Sequence, residues 1–304
     1  MDMKKKFGKV AVLLGGLSAE REVSLKSGQA VLEGLLTRGI DAHSVDVGRD
    51  IASVLSAGEF DRAFNILHGP GGEDGSMQAL LEFLNIPYCG SGVAASALAM
   101  DKVRTKWVWQ ANRLPTPDFM LIESEVDLNK ISERFTFPVA IKPVHEGSSV
   151  GMSKVKSADE LKAAYEFAKK YNDEVMVEQW IIGSEYTVTM IADEAYPSIK
   201  IETPREFYDY TAKYLEKTTI YSCPSGLSEA QEKEIQALAK KAFKTLGCHG
   251  WGRVDFMCDK AGQFWLIEIN TLPGMTETSL VPKAARAKGV EFPDLVVKIL
   301  ETSL

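Results

Sequence analysis

The stretch GWGRVDFMCDKAGQFWLIEIN, residues 250–270, reads as two strands joined by a turn. Apolar residues recur along both halves, and the link Asp259-Lys260-Ala261-Gly262 has turn chemistry. Side chains at i and i+2 on a strand share a face, so Arg253 sits with Asp255 and Glu268 with Asn270. A hairpin with a two- or four-residue loop would set Asp255 opposite Glu268 and Arg253 opposite Asn270. Opposed Cβ atoms then lie about 4.5–5.5 Å apart, close enough for the two carboxylates to repel. A hard cation relieves that repulsion, and Mg²⁺ takes a few carboxylate or amide oxygens while leaving positions for nucleotide phosphates. A solvent-facing polar stripe on an amphipathic hairpin accounts for the same residues, although Phe264, Trp265, Leu266, Ile267 and Ile269 argue against a wholly wet face. Strand geometry alone leaves both readings open.

Upstream, Val139–Lys142 reads as a strand ending in a lysine, followed by His145-Glu146-Gly147-Ser148-Ser149-Val150-Gly151. Glycines let backbone N–H groups approach phosphate, serines add donors and Lys142 supplies compact positive charge. The pattern is not the GxxxxGK[ST] loop, and a plain hairpin turn explains the loop by itself. Further strands are expected at 150–155, 175–181 and 186–191. One helix is opened by Ser157 and Glu160 as a capping box; another starts at Ser228-x-x-Gln231 and stops at Gly247. Residues 203–222 mix aromatics and charges without a clear period. Downstream, Thr278-Ser279-Leu280-Val281-Pro282 resembles an N-cap with proline in the first turn. Exposed N–H groups there suit a carboxylate, although simple capping suffices.

Towards the N-terminus the pattern becomes strand, turn, helix. Lys9–Leu14 runs into Gly15-Gly16, and a helical pattern follows from Ser18 to near Gly39. Residues 64–67 and 86–89 read as further strands, and 74–84 as a helix between them. Such alternation predicts a parallel sheet with ligand groups at the carboxyl ends of its strands, here residues 15–20, 68–75 and 90–92. The first turn lacks GxGxxG, which argues against a nicotinamide enzyme. Glu20 falls in the first turn of its helix, where an acid complementing the dipole is the bland explanation. A helix around 100–110 leads to Leu114-Pro115-Thr116-Pro117, a boundary signal.

Composition sets limits on all this. The chain has 304 residues, long enough for two or three structural units. Its formal net charge of -7 is mild and interspersed, which gives it no electrostatic reason to seek nucleic acid or an acidic membrane. Four separated cysteines without CxxC spacing disfavour a zinc site or disulfide framework and fit a reducing cytoplasm. The apolar run after Lys4-Lys5-Lys6 is broken by Gly15-Gly16, so it reads as a buried strand rather than a secretion signal. No apolar stretch approaches the roughly 20 residues that span a bilayer.

Several segments taken in order closely resemble the D-alanine–D-alanine ligase family of the ATP-grasp superfamily. They are LLGGLSAEREVSL (13–25), LHGPGGEDGSMQ (67–78), GSGVAASALAMDK (90–102), IKPVHEGSSVGMSKV (141–155), FYDYTAKY (207–214), GWGRVDFM (250–257) and IEINTLPGMTETSLVP (267–282). The resemblance runs from about Val10 to Leu300. It implies an α/β and α+β chain: a Rossmann-like N-terminal domain over 1–98, a central ATP-grasp subdomain over 99–182 and a C-terminal one over 183–304. It also implies two D-alanines joined through an acyl phosphate, with ATP and Mg²⁺ (two ions, or Mn²⁺) and a homodimer.

By the same resemblance, Asp255, Glu268 and Asn270 look like the metal ligands. Lys102, Lys142 and Lys213 look like phosphate-contacting lysines, with Ser149 beside them. Glu178, Trp180, Ile181 and Glu185 match the strand that receives adenine and ribose. Glu20 matches the acid that holds the first substrate's ammonium, with Ser148 and Tyr214 as companions and His68 nearby. Arg253 and the N–H of Gly274 correspond to oxyanion stabilisers, and Ser279 and Leu280 to the site of the second carboxylate. Tyr214 favours an amine over a hydroxyl acid as second substrate. The resemblance also makes the 203–222 segment a lid. Rival readings are another ATP-grasp ligase, a nucleotide-binding regulator without turnover, and a dehydrogenase that rests only on the strand-helix start.

Overall fold

Strand β1 (Lys9–Gly15) is buried from Val10 onward and has no polar face, so it lies in the middle of its sheet. Strands β2 (Asp41–Val47) and β3 (Arg62–Asn65) flank it in parallel, in the order β2-β1-β3. The computed structural model describes residues 3–147, 149–204 and 218–304. Helix Arg21–Thr37 packs so closely on β1 that a Cβ on Gly28 would stand 2.4 Å from Leu14 Cβ. Gly15 and Gly16, at φ +79° and +83°, make the exit turn that glycine permits. The expected strand at 86–89 shrinks to one parallel bridge between Ala63 and Tyr88. Pro87 accepts a hydrogen bond from Ala63 but has no N–H to return, which ends the ladder.

A second, antiparallel sheet follows: β4 (Phe119–Ile122), β5 (Val139–Pro143), β6 (Ser153–Val155) and β7 (Val175–Gln179), in the order β4-β7-β5-β6. Helices Asp127–Arg134 and Leu161–Lys169 cover it through a core containing Ile131, Val139, Ile141, Val177 and Ala168. The third sheet holds β8 (Gly183–Ile191), β9 (Glu194–Ala195), β10 (Ile199–Glu202), β11 (Ile220–Ser222), β12 (Trp251–Asp259) and β13 (Phe264–Asn270). Helix Glu229–Thr245 packs against it. The closing helices Leu280–Ala287 and Phe292–Glu301 return to the N-terminal core, where Val296 meets helix Arg21–Thr37 at Gly34. Among the described residues no helix is long and apolar enough to cross a membrane.

The β12–β13 hairpin pairs Asp255 with Glu268 and Arg253 with Asn270, as expected, but by another route. The loop is neither two nor four residues long. Asp259 donates its N–H to Gln263 and accepts from Gly262, whose φ is +87°, so three residues make the turn. Such a loop in regular register would set Asp255 opposite Ile267. A bulge between Asp255 and Phe256 leaves Ile267 unopposed and restores the carboxylate pair.

Other expectations shift locally. The Ser228 capping box forms, but Ser157 makes no side-chain cap. There Glu160 accepts from the Lys156 N–H at 2.7 Å, and a 3-10 turn precedes the helix. The helix expected at 100–110 is Lys102–Ala111, and a further helix, Val93–Met100, precedes it; Asp101 separates the two and caps the second by accepting from Arg104 N–H at 2.8 Å. Strand β6 is shorter than expected because Ser149 and Gly151 adopt positive φ. Strand β7 ends at Gln179 and β8 begins at Gly183, so the chain leaves the ladder at Trp180–Ile182.

Candidate active site

A cavity of about 600 Å³ is lined by residues of the second and third sheets. Lys102, Lys142, Ser149, Glu178, Trp180, Ile181, Glu185, Asp255 and Glu268 all line it. They come from chain positions as far apart as 102 and 268, so the fold gathers them. Ala140, Met152, Met257 and Ile267 add an apolar surface suited to a flat heterocycle. The bulge brings Ile267 and its neighbour Glu268 to the same cavity, which regular alternation would forbid.

Strand register explains the first charge cluster. Ala140 pairs with Glu178, and Lys142 is two residues on and shares that face. Lys142 Nζ reaches Glu178 Oε2 at 2.5 Å. The other carboxylate oxygen pairs with Lys106, a wholly buried lysine that also donates to Thr116 Oγ1 at 2.6 Å. Burial would raise Glu178, but Lys106 and Lys142 outweigh it and hold the carboxyl below its usual range. Burial pulls Lys106 down to about 8 despite that partner. The sequence reading missed Lys106; its spacing four residues after Lys102, on one helix face, was the available signal.

Lys102 opens its helix beside this cluster. Its Nζ donates to the Glu146 carbonyl at 2.5 Å and stands 3.5 Å from Glu268 Oε2. Asp255 accepts from Arg253 Nε at 2.8 Å and Nη2 at 2.7 Å, from Thr187 Oγ1 at 2.7 Å and from Asn270 Nδ2 at 2.9 Å. Thr187, its partner across β8, is a second residue that sequence reading passed over. With Nδ2 engaged, the Asn270 amide has Oδ1 as its acceptor. Two opposed carboxylates and an amide oxygen form an oxygen-only donor set, which fits Mg²⁺ or Mn²⁺ and suits softer metals poorly.

A second group stands at the carboxyl ends of the first sheet. Glu20 occupies the N-cap position of helix Arg21–Thr37, just ahead of the first turn in which it was expected. A Cβ on Gly69 would lie 3.0 Å from Glu20 Oε2, and one on Gly147 would lie 3.5 Å away. The turn after β3 and the Gly/Ser loop thus converge on one carboxylate, and Gly69, at φ +71°, takes a conformation that glycine favours. Ser18 Oγ donates to the His68 carbonyl at 2.6 Å. The His68 ring is buried, its Nδ1 3.6 Å from Glu73 Oε1 and its Nε2 without a hydrogen-bond partner among the described residues.

The third group joins Gly274, Ser279 and Leu280. A Cβ on Gly274 would stand 3.1 Å from Ser279 Oγ. Ser279 holds the N-cap position of helix Leu280–Ala287, but its hydroxyl accepts from the Thr276 N–H at 3.0 Å instead of capping the helix. Met275 N–H donates to Ser27 Oγ at 3.2 Å, tying this loop to the helix that begins at Glu20. Ser148, Lys213 and Tyr214 lie outside the described residues.

Comparison with known proteins matches residues 108–301 to the family described as D-ala D-ala ligase C-terminus and residues 46–91 to D-ala D-ala ligase N-terminus. A D-alanine–D-alanine ligase of Pseudomonas putida (strain GB-1) is 55% identical over 300 residues, covering 99% of this chain and 94% of that protein. The crystal structure of the D-alanine–D-alanine ligase from Bacillus anthracis complexed with ATP superposes with a TM-score of 0.84 at 31% identity, covering 97% of this chain and 96% of that one. A D-Ala:D-Ser ligase from Enterococcus faecalis superposes with a TM-score of 0.86 at 30% identity, covering 97% and 99%.

Proposed function

From the premise that this chain belongs to the D-alanine–D-alanine ligase family, we propose that its cavity is where ATP activates a D-alanine carboxylate. The chain is an ATP-dependent ligase that joins two D-alanines to D-alanyl-D-alanine for peptidoglycan precursors. The observation that carries the site assignment is the convergence of Lys102, Lys142, Glu178, Asp255 and Glu268 on one cavity.

In this reading adenine lies on Met152, Met257 and Ile267, with Glu178 and the backbone of Trp180–Ile181 at its edge and Glu185 at the ribose. Lys102, Lys142 and Lys213, with Ser149, meet the phosphates. Asp255, Glu268 and Asn270 would hold Mg²⁺, which would supply charge neutralisation to the phosphates. Glu20 orients the ammonium of the first D-alanine, with His68, Ser148 and Tyr214 around it. That substrate's carboxylate oxygen attacks the γ-phosphorus and ADP leaves with the electron pair. The amine of the second D-alanine then adds to the acyl carbon, and Arg253 and the Gly274 N–H receive the oxyanion. Two of the five guanidinium N–H groups of Arg253, on Nε and Nη2, are turned to Asp255. Phosphate departs as the oxyanion collapses, and the amine loses its proton. Ser279 and Leu280, at a helix N-terminus, hold the second carboxylate.

The three sheets support the division into 1–98, 99–182 and 183–304. Homodimerisation and a cytoplasmic location belong to the same proposal, the latter supported by four unpaired cysteines. Phosphate release from ATP tests the activity: it should require D-alanine, vanish with EDTA and return with Mg²⁺. L-alanine as sole substrate should be inert, and D-lactate should act poorly as second substrate. Equal turnover with L-alanine, or none with D-alanine, would overturn the proposal.

A further inference from the structure

His145 opens the Gly/Ser loop, yet its ring turns away from the cavity towards the helix that starts at Lys102. Its Nε2 lies 3.1 Å from Asp101 Oδ2. Its Nδ1 lies 3.3 Å from Asn172 Oδ1 and 3.6 Å from Glu174 Oε2. The identity of the Asn172 atom is set by the backbone, because Oδ1 accepts from the Glu174 N–H at 3.0 Å. Both ring nitrogens therefore face acceptors. A neutral imidazole carries one N–H and would leave one lone pair against an oxygen, whereas the imidazolium donates from both sides.

The ring also sits where it can matter to the cavity. Three contacts bind residues 144–146 to residues 101 and 102: Lys102 N–H to the Val144 carbonyl at 3.3 Å, His145 to Asp101, and Lys102 Nζ to the Glu146 carbonyl. Lys102 in turn stands beside Glu268. We propose that doubly protonated His145 is a positioning residue, clamping residues 144–146 onto Asp101 and so fixing Lys102 for the nucleotide phosphates. The proposal rests on the reading of the cavity as an ATP site.

The charged groups that face the ring directly are both carboxylates, and the nearby Arg104 cation sits behind them. Asp101 and Glu174 face it, and Arg104 lies against both carboxylates from its own helix. Glu146 and Lys102 flank it on the cavity side. The Asp101 hydrogen bond raises His145 above 6.5 against the effect of burial. Burial would raise Asp101, but His145 and the Arg104 N–H bring it down to about 2. A raised histidine keeps its proton, and its clamp, at pH below 6.5, and loses both as pH climbs through the higher folded value.

Long-range ¹H–¹⁵N spectra of the full chain, with the His145 signals identified by their loss in His145→Arg, read the ring directly. Both nitrogens should show protonated shifts at pH 7; a neutral tautomer there would overturn the clamp. Calorimetric titration with ADP and Mg²⁺ between pH 6 and 9 supplies the second readout. Affinity should fall about ten-fold as the ring deprotonates, the worth of one charge-assisted contact. His145→Arg, whose charge is permanent, should lack that limb and keep only the one that Lys106 contributes near pH 8. An affinity profile identical in His145→Arg and the parent across the whole range would refute the role. Neither readout needs D-alanine turnover, so failure of the ligase assay remains distinguishable from failure of the clamp.

Discussion

Replacing Lys106 by Met probes the buried charge cluster, because the structure predicts an effect opposite to that of breaking an ordinary ion pair. Removing one partner of a buried pair usually costs about 3–5 kcal/mol, since the other charge is left uncompensated. Here two lysines face the one carboxylate of Glu178, so Lys106→Met leaves a neutral Lys142–Glu178 pair. Burial holds Lys106 at about 8 rather than 10.5; at 1.36 kcal/mol per pKa unit, keeping it charged at pH 7 costs the folded chain about 3 kcal/mol. Met fills a similar unbranched volume. The variant should therefore be at least as stable as the parent at pH 7, by up to about 3 kcal/mol. Between pH 8 and 10.5 the unfolded chain binds this proton more tightly than the folded one, so the parent gains stability as pH rises and the difference closes. Urea unfolding at pH 7 and near pH 10 measures both quantities. ADP affinity should fall about ten-fold, because the cavity wall loses its excess positive charge. A variant more than about 1 kcal/mol less stable at pH 7, with a gap independent of pH, would refute the reasoning.

Glu268→Gln should abolish D-alanine-dependent phosphate release while near-UV circular dichroism and urea midpoint stay close to the parent; near-normal release would remove Glu268 from the metal site. Gly28→Ala places a methyl group 2.4 Å from Leu14 Cβ and forces helix Arg21–Thr37 off β1. Overpacking should outweigh the gain in helix propensity, for a net loss of about 1–2 kcal/mol by urea unfolding, and unchanged stability would contradict the close packing.

Much of the candidate site was legible because it is written in local patterns. Strand alternation marked Arg253 with Asp255 and Glu268 with Asn270, and the glycines and serines after Lys142 marked a loop able to meet phosphate. The ordered motifs identified the family. Strand periodicity could not show that a three-residue turn and a bulge at Ile267 cancel each other, since a bulge depends on how β12 packs on β8 and β13. Nor could it show that Lys106 would be buried with Glu178, or that both nitrogens of His145 would face acceptors from two other segments. Sequence alone determined which chemical groups were available and which local face each occupied. Tertiary structure decided which of them meet, because register, burial and the pairing of charges arise only when distant segments pack.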